Sequence, residues 1–175
     1  MTATIRVFTF KDGLLARLAH DLRLTLRRFE VRREGSRITG TFWPGSLVVD
    51  GAVKGGELDA SAFSAGDRAK IADNLAEVLH VGRHPEVTLV AEVDAGRRIR
   101  GQLTLVGRTH PIEAVARADG GKLTAEVVLT PSLWGIPPYK ALAGAIKLQD
   151  RVVVRAELPL ADGGEPADPA VWSAG

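Results

Sequence analysis

Apolar and polar side chains alternate in short runs along most of this sequence, and one stretch alone breaks the rhythm. In Ile99-Arg100-Gly101-Gln102-Leu103-Thr104-Leu105 the odd positions are apolar or small and the even positions are polar. A period of two sends successive side chains to opposite faces of a strand, so one face is dry and the other wet. Val87-Thr88-Leu89 with Ala91 and Val93, Leu123 to Val127 with Leu129, and Leu22-Arg23-Leu24-Thr25-Leu26 repeat the pattern. Strands that each carry one apolar face have to close around a shared interior. That interior is where function is expected.

The exception is a helix over about 67–80. Ile71, Leu75, Val78 and Leu79 stand at i, i+4, i+7 and i+8 and make one apolar stripe. Ser64, three residues before Asp67, is a capping-box variant, and Gly82 with His84-Pro85 ends the helix. Turn signals recur at Lys11-Asp12-Gly13, Glu34-Gly35-Ser36, Asp50-Gly51, Gly55-Gly56, Asp94-Ala95-Gly96 and Asp119-Gly120-Gly121. They leave about eight or nine strand-length pieces, which suits a sandwich or a closed antiparallel barrel. No internal repeat is visible. At 175 residues one domain is expected, over 1–160. From Asp162 the chain is rich in Gly, Pro and Asp, so 161–175 is expected to be a mobile tail, with Trp172 as its one docking residue.

Composition removes several chemistries. There is no cysteine, hence no disulfide and no thiolate nucleophile or ligand. The net charge is +2, and the early arginines (Arg17, Arg23, Arg27, Arg28, Arg32, Arg33, Arg37) fall where a solvent face would carry them. Aromatics are 5% of the chain, too few to stack bases between basic residues, so no nucleic-acid partner is expected. No apolar run approaches the roughly 18 residues of a membrane span, and Met1 to Phe10 does not resemble a secretion signal. A cytoplasmic protein is the expectation.

Catalytic and metal signatures are weak. His80 and His84 have the spacing of helical metal ligands, but Gly82 and Pro85 place them where the helix ends. His20 and Asp21 are adjacent, and neighbours on a strand point to opposite faces, which separates a base from its acid. There is no Gly-x-Ser-x-Gly elbow, P-loop or dinucleotide fingerprint. No catalytic residue, metal or cofactor is assigned, and a non-enzymatic role is expected.

Four segments in order resemble one family. These are Gly13 to Leu22, centred on His20; Asp67 to Leu79 followed by Arg83-His84-Pro85-Glu86-Val87-Thr88-Leu89; Gly101 to Thr109; and Leu133-Trp134-Gly135-Ile136-Pro137-Pro138-Tyr139 through Ala145 with Asp150-Arg151-Val152. Together they resemble the YceI-like proteins, the lipid or polyisoprenoid binding family. His84 stands where that family often has tyrosine, and Trp134 where it has phenylalanine. The resemblance implies an all-β, eight-stranded antiparallel, lipocalin-like barrel with an elongated apolar cavity that holds an isoprenoid or fatty chain, and no enzymatic activity. Beside the helix, a short helical turn is expected near 138–144. Many members of the family are exported, whereas no leader is seen here.

The ligand-binding candidates follow from the strand faces and these segments. Leu22, Leu24, Leu26, Val87, Leu89, Leu103, Leu105 and Val127 face inward, either as plain core or as ligand wall. Small inward residues, Ala91, Gly101, Ala125 and Ala156, leave room for a ligand. Trp134 and Tyr139, with Pro137 and Pro138, form a rigid flap that serves as gate or plug, and Leu142 lies in the same segment. His20 either meets a ligand head group or is structural. The expected function is a soluble carrier or sequestering protein for an apolar small molecule. The alternatives are an enzyme using the cavity with His20, and a regulatory protein with a packed barrel that meets a macromolecule through its arginine-rich strands or tail. A homodimer is compatible with the family and is not fixed by any residue.

Overall fold

The computed structural model describes residues 1–12, 20–141, 146–161 and 167–175. Its strands are β1 (Thr2–Lys11), β2 (Asp21–Leu26), β3 (Phe29–Glu34), β4 (Arg37–Phe42), β5 (Leu47–Lys54) and β6 (Glu57–Asp59), then helix α1 (Ala65–Val78). After the helix come β7 (Val87–Val93), β8 (Arg98–Leu105), β9 (Arg108–Asp119), β10 (Lys122–Leu129), β11 (Lys140–Ala141), β12 (Ile146–Pro159) and β13 (Ala170–Ala174). Short 3₁₀ turns occupy Pro44–Ser46 and Pro131–Trp134.

The alternating runs close as expected, but with one strand more. Among the described residues nine strands form the ring, in the order β1, β12, β10, β9, β8, β7, β4, β3, β13 and back to β1. The expected count of eight is corrected to nine by β13, which comes from the segment expected to be a tail. Ala170 to Ser173 pair antiparallel with Arg33 to Glu30 of β3, and Thr2 and Ala3 of β1 pair in parallel with Ser173 and Ala174. Of the stretch that suggested a tail, residues 162–166 lie outside the described residues, and a cis Asp168-Pro169 bond precedes this strand. Residues 170–174 therefore belong to the barrel. The same edge of β1 that meets β13 at its start meets β2 over Ile5 to Thr9, and β5 and β6 continue outward from β2.

Two expected turns resolve differently. Asp50-Gly51 lies inside β5, at a bulge where Leu24 pairs with Val49 and Arg23 with Gly51. A Cβ at Gly51 would stand 2.3 Å from the Asp59 carbonyl oxygen, so glycine is required there by the close approach of β6 rather than by a reversal of the chain. The helical turn expected near 138–144 is not found in its described part: Lys140 and Ala141 are strand, and 142–145 fall outside the described residues.

Helix α1 starts where its cap dictates. The Ser64 hydroxyl accepts from the Asp67 N–H (3.1 Å), while the Asp67 carboxylate accepts from the Ser64 N–H (3.2 Å) and hydroxyl (2.7 Å). This reciprocal box satisfies donors that every helix N-terminus leaves open. The same bonds hold the Asp67 carboxyl below its ordinary range. Arg68, one residue further on, ties the helix to the sheet by donating to the carbonyls of Val49, Asp50 (2.8 Å) and Ala60.

Candidate functional site

The register of three neighbouring strands stacks the interior in layers. Ala125 of β10 stands opposite Ala156 of β12, which stands opposite Ile5 of β1; the next layer is Val127, Val154 and Val7, and the next Leu129, Val152 and Thr9. All nine face the same cavity. From Leu123 to Leu129 this wall runs six residues, roughly 20 Å at about 3.3 Å per residue. Leu123, Ala125, Val127 and Leu129 are each only half-buried although they point inward, which means their side chains border empty space rather than one another.

The void has a volume of about 600 Å³. An eight- or nine-stranded barrel has an interior that side chains can fill or that one small ligand can occupy. Here alanines at 114, 116, 125 and 156 leave it unfilled. Buried side chains gather in two clusters, several of whose members also border the cavity. One is Ala3, Ile5, Leu26, Phe29, Val31, Ala170 and Trp172; the other is Leu103, Ile112, Trp134 and Ile136. The small residues Ala91 and Gly101 do not enlarge the cavity: they pair across β7 and β8, and a Cβ on Gly101 would lie 2.4 Å from that of Ala91, so they allow two strands to pack tightly.

One end of the cavity is covered by α1 and by the segment after Trp134. Leu75, Val78 and Leu79 of the expected helical stripe reach the cavity, as do Pro137, Pro138 and Tyr139. Among the described residues the two covers are joined by a hydrogen bond from Asn74 Nδ2 to the Tyr139 hydroxyl (3.1 Å). No helix side chain is fully buried, so the helix lies over the barrel rather than within its core.

Polar groups on the wall are few. Gln149 donates to the Lys11 carbonyl (3.0 Å), and the Asp150 carboxylate accepts from the Ser132 N–H (3.0 Å) and hydroxyl. Thr9 is different: it is 8% exposed, and its hydroxyl has no hydrogen-bond partner among the described residues. Arg33, Asp94 and Arg97 reach the other end, where Arg33 donates to the Gly35 carbonyl.

Of the residues expected to bind ligand, the fold brings Leu24, Leu26, Val87, Leu89, Leu103, Leu105 and Val127 onto this wall. Leu22 is half-buried, opposite Thr9 and Ala52, and is not among the wall residues. Trp134 is 2% exposed and also off the wall: its indole N–H donates to the Leu103 carbonyl (3.0 Å) and its ring meets His110 edge-on at 5.2 Å. As placed it is a plug behind the wall. His20 stands edge-on to Phe63 at 5.5 Å and does not reach the cavity. Leu142 lies outside the described residues. His84 rests against Gly107 instead of joining His80. Residues that strand alternation did not single out, above all Thr9, Asn74 and Trp172, owe their place to contacts between distant segments.

Comparison with known proteins agrees with this architecture. The model of the YceI-like domain matches residues 19–160. Among solved structures the chain is similar to Burkholderia cenocepacia BcnA, with 13% identity, 91% of this chain and 96% of that chain covered, and a TM-score of 0.57. It is similar, at 10% identity and a TM-score of 0.49, to a mutant CJ YCEI protein carrying a monobromobimane guest, with 79% of this chain and 85% of that chain covered. No curated protein matches the sequence.

Proposed function

Because the chain belongs to the YceI-like family, whose domain spans most of it, we propose that it is a carrier or sequestering protein for one apolar chain, isoprenoid or fatty, held inside the barrel. The observation that carries this is the unfilled interior of about 600 Å³, walled mostly by Leu, Val, Ile and Ala side chains. Apolar surface that borders a void rather than neighbouring side chains has dispersion contacts to gain from a guest, and each methylene transferred from water contributes about 0.8 kcal/mol. The tail therefore sets affinity. Binding rather than catalysis is proposed because the side chain considered as acid or base, His20, stands against Phe63 and away from the cavity.

Ala125→Phe tests the proposal, since it places a ring in the layer that Ala125 and Ala156 leave hollow. Uptake of a fluorescent fatty probe should fall at least about tenfold, because the ring displaces several methylenes' worth of room, while thermal unfolding stays cooperative and no lower than in the parent. Unchanged uptake by the folded variant would show that the probe binds elsewhere.

A further inference from the structure

The two ends of the cavity are bordered by different kinds of structure. One is covered by a helix and a strap joined, among the described residues, by the hydrogen bond from Asn74 to Tyr139; at the other the indole of Trp172 lines one side, with Arg33, Asp94 and Arg97 also on the wall. Trp172 is 2% exposed, borders the cavity, and packs with Ile5, Val31, Ala156 and Leu158. Its N–H donates to the carbonyl of Pro159, the last residue of β12 (3.0 Å), so the ring reaches from β13 to the end of the strand beside β1. The strand that carries it is pinned on both sides. The Met1 ammonium donates to the Val171 carbonyl (3.0 Å), the Ser173 N–H to the Met1 carbonyl (3.1 Å), and the Gly35 N–H to the Asp168 carboxylate (2.9 Å). A large side chain this tightly held does not move aside for a growing ligand.

We infer that Trp172 is the length stop of the cavity, limiting the guest to a single chain about as long as the wall, roughly 20 Å at about 3.3 Å per residue along β10. The inference rests on the carrier proposal and makes it specific: affinity climbs with chain length until the chain meets the indole, and a longer chain is refused.

The test offers the full-length protein an equimolar mixture of farnesol, geranylgeraniol and solanesol in mild detergent, then re-isolates the protein and quantifies the extracted alcohols. The wild type should retain geranylgeraniol and exclude solanesol by about tenfold or more, given the contribution of each methylene that finds no room. Trp172→Leu, which keeps an apolar anchor but gives up the ring, should raise the solanesol to geranylgeraniol ratio several-fold. Trp172→Ala should raise it further. Val171→Ala, on the exposed outer face of the same strand, should leave it unchanged. Equal retention of solanesol and geranylgeraniol by the wild type would overturn the stop, as would a folded Trp172→Leu protein with the wild-type ratio. Retention of none of the three alcohols would overturn the carrier proposal together with it.

Discussion

Thr9 is the side chain on the wall whose chemistry does not match its place. Its neighbours in the layer, Val152 and Leu129, are apolar, and its buried hydroxyl has no partner among the described residues. An unmade hydrogen bond of this kind costs about 1–3 kcal/mol. Thr9→Val keeps the shape and removes the cost, so the ligand-free variant should be more stable by about 1 kcal/mol in denaturant unfolding; a loss of stability would show that the hydroxyl is satisfied. The wall leucines and valines were legible in the sequence because alternation assigns each to a face, and Leu24, Leu26, Val87, Leu89, Leu103, Leu105 and Val127 all arrive at the cavity. Alternation cannot say whether an inward residue meets a neighbour or a void, which depends on the residue across the barrel. Ala125 opposite Ala156 leaves a hollow, while Gly101 opposite Ala91 closes a gap.

Among the elements, α1 was the most legible, since its stripe and its Ser64–Asp67 box are both local in sequence. Two consequences follow. The Asp67 carboxyl is lowered by its bonds to Ser64, so its contribution is complete above the ordinary carboxylate range and is lost as the pH falls through its folded-state value. The stability gap between the parent and Asp67→Asn should therefore be present at neutral pH and close on acidification, as melting across a pH series would show; a gap independent of pH would contradict the cap. The second consequence concerns the link from Asn74 to Tyr139, which spans 65 residues and has no local signal. Tyr139→Phe leaves the wall apolar and removes this tie between helix and strap. Loss of one neutral hydrogen bond should accelerate release of a bound fatty probe by about threefold to tenfold in stopped-flow displacement, and an unchanged rate would place the path of exchange elsewhere. β13 was the least legible element. Five residues behind a Gly-Pro-Asp stretch carry no periodic signal, and only pairing with β1 and β3 makes them a strand.

For the molecule as a whole, the fold is a closed antiparallel barrel in all but one pairing, and its architecture was written in the alternation and in the resemblance of four ordered segments. Its interior was not, because fullness is a sum over all strands at once. The structure answers with two dense clusters and a hollow of about 600 Å³ between strands whose inner faces are almost wholly apolar. A cavity of that size and lining is in the range of small-molecule sites. The role proposed for this space is to hold a chain. It is tested by mild-solvent extraction of the natively expressed, purified protein followed by mass spectrometry and quantification against protein concentration. A barrel that holds one chain should yield a stoichiometric isoprenoid or fatty molecule. A protein that yields no such molecule and also fails to take up an apolar fluorescent probe would contradict it.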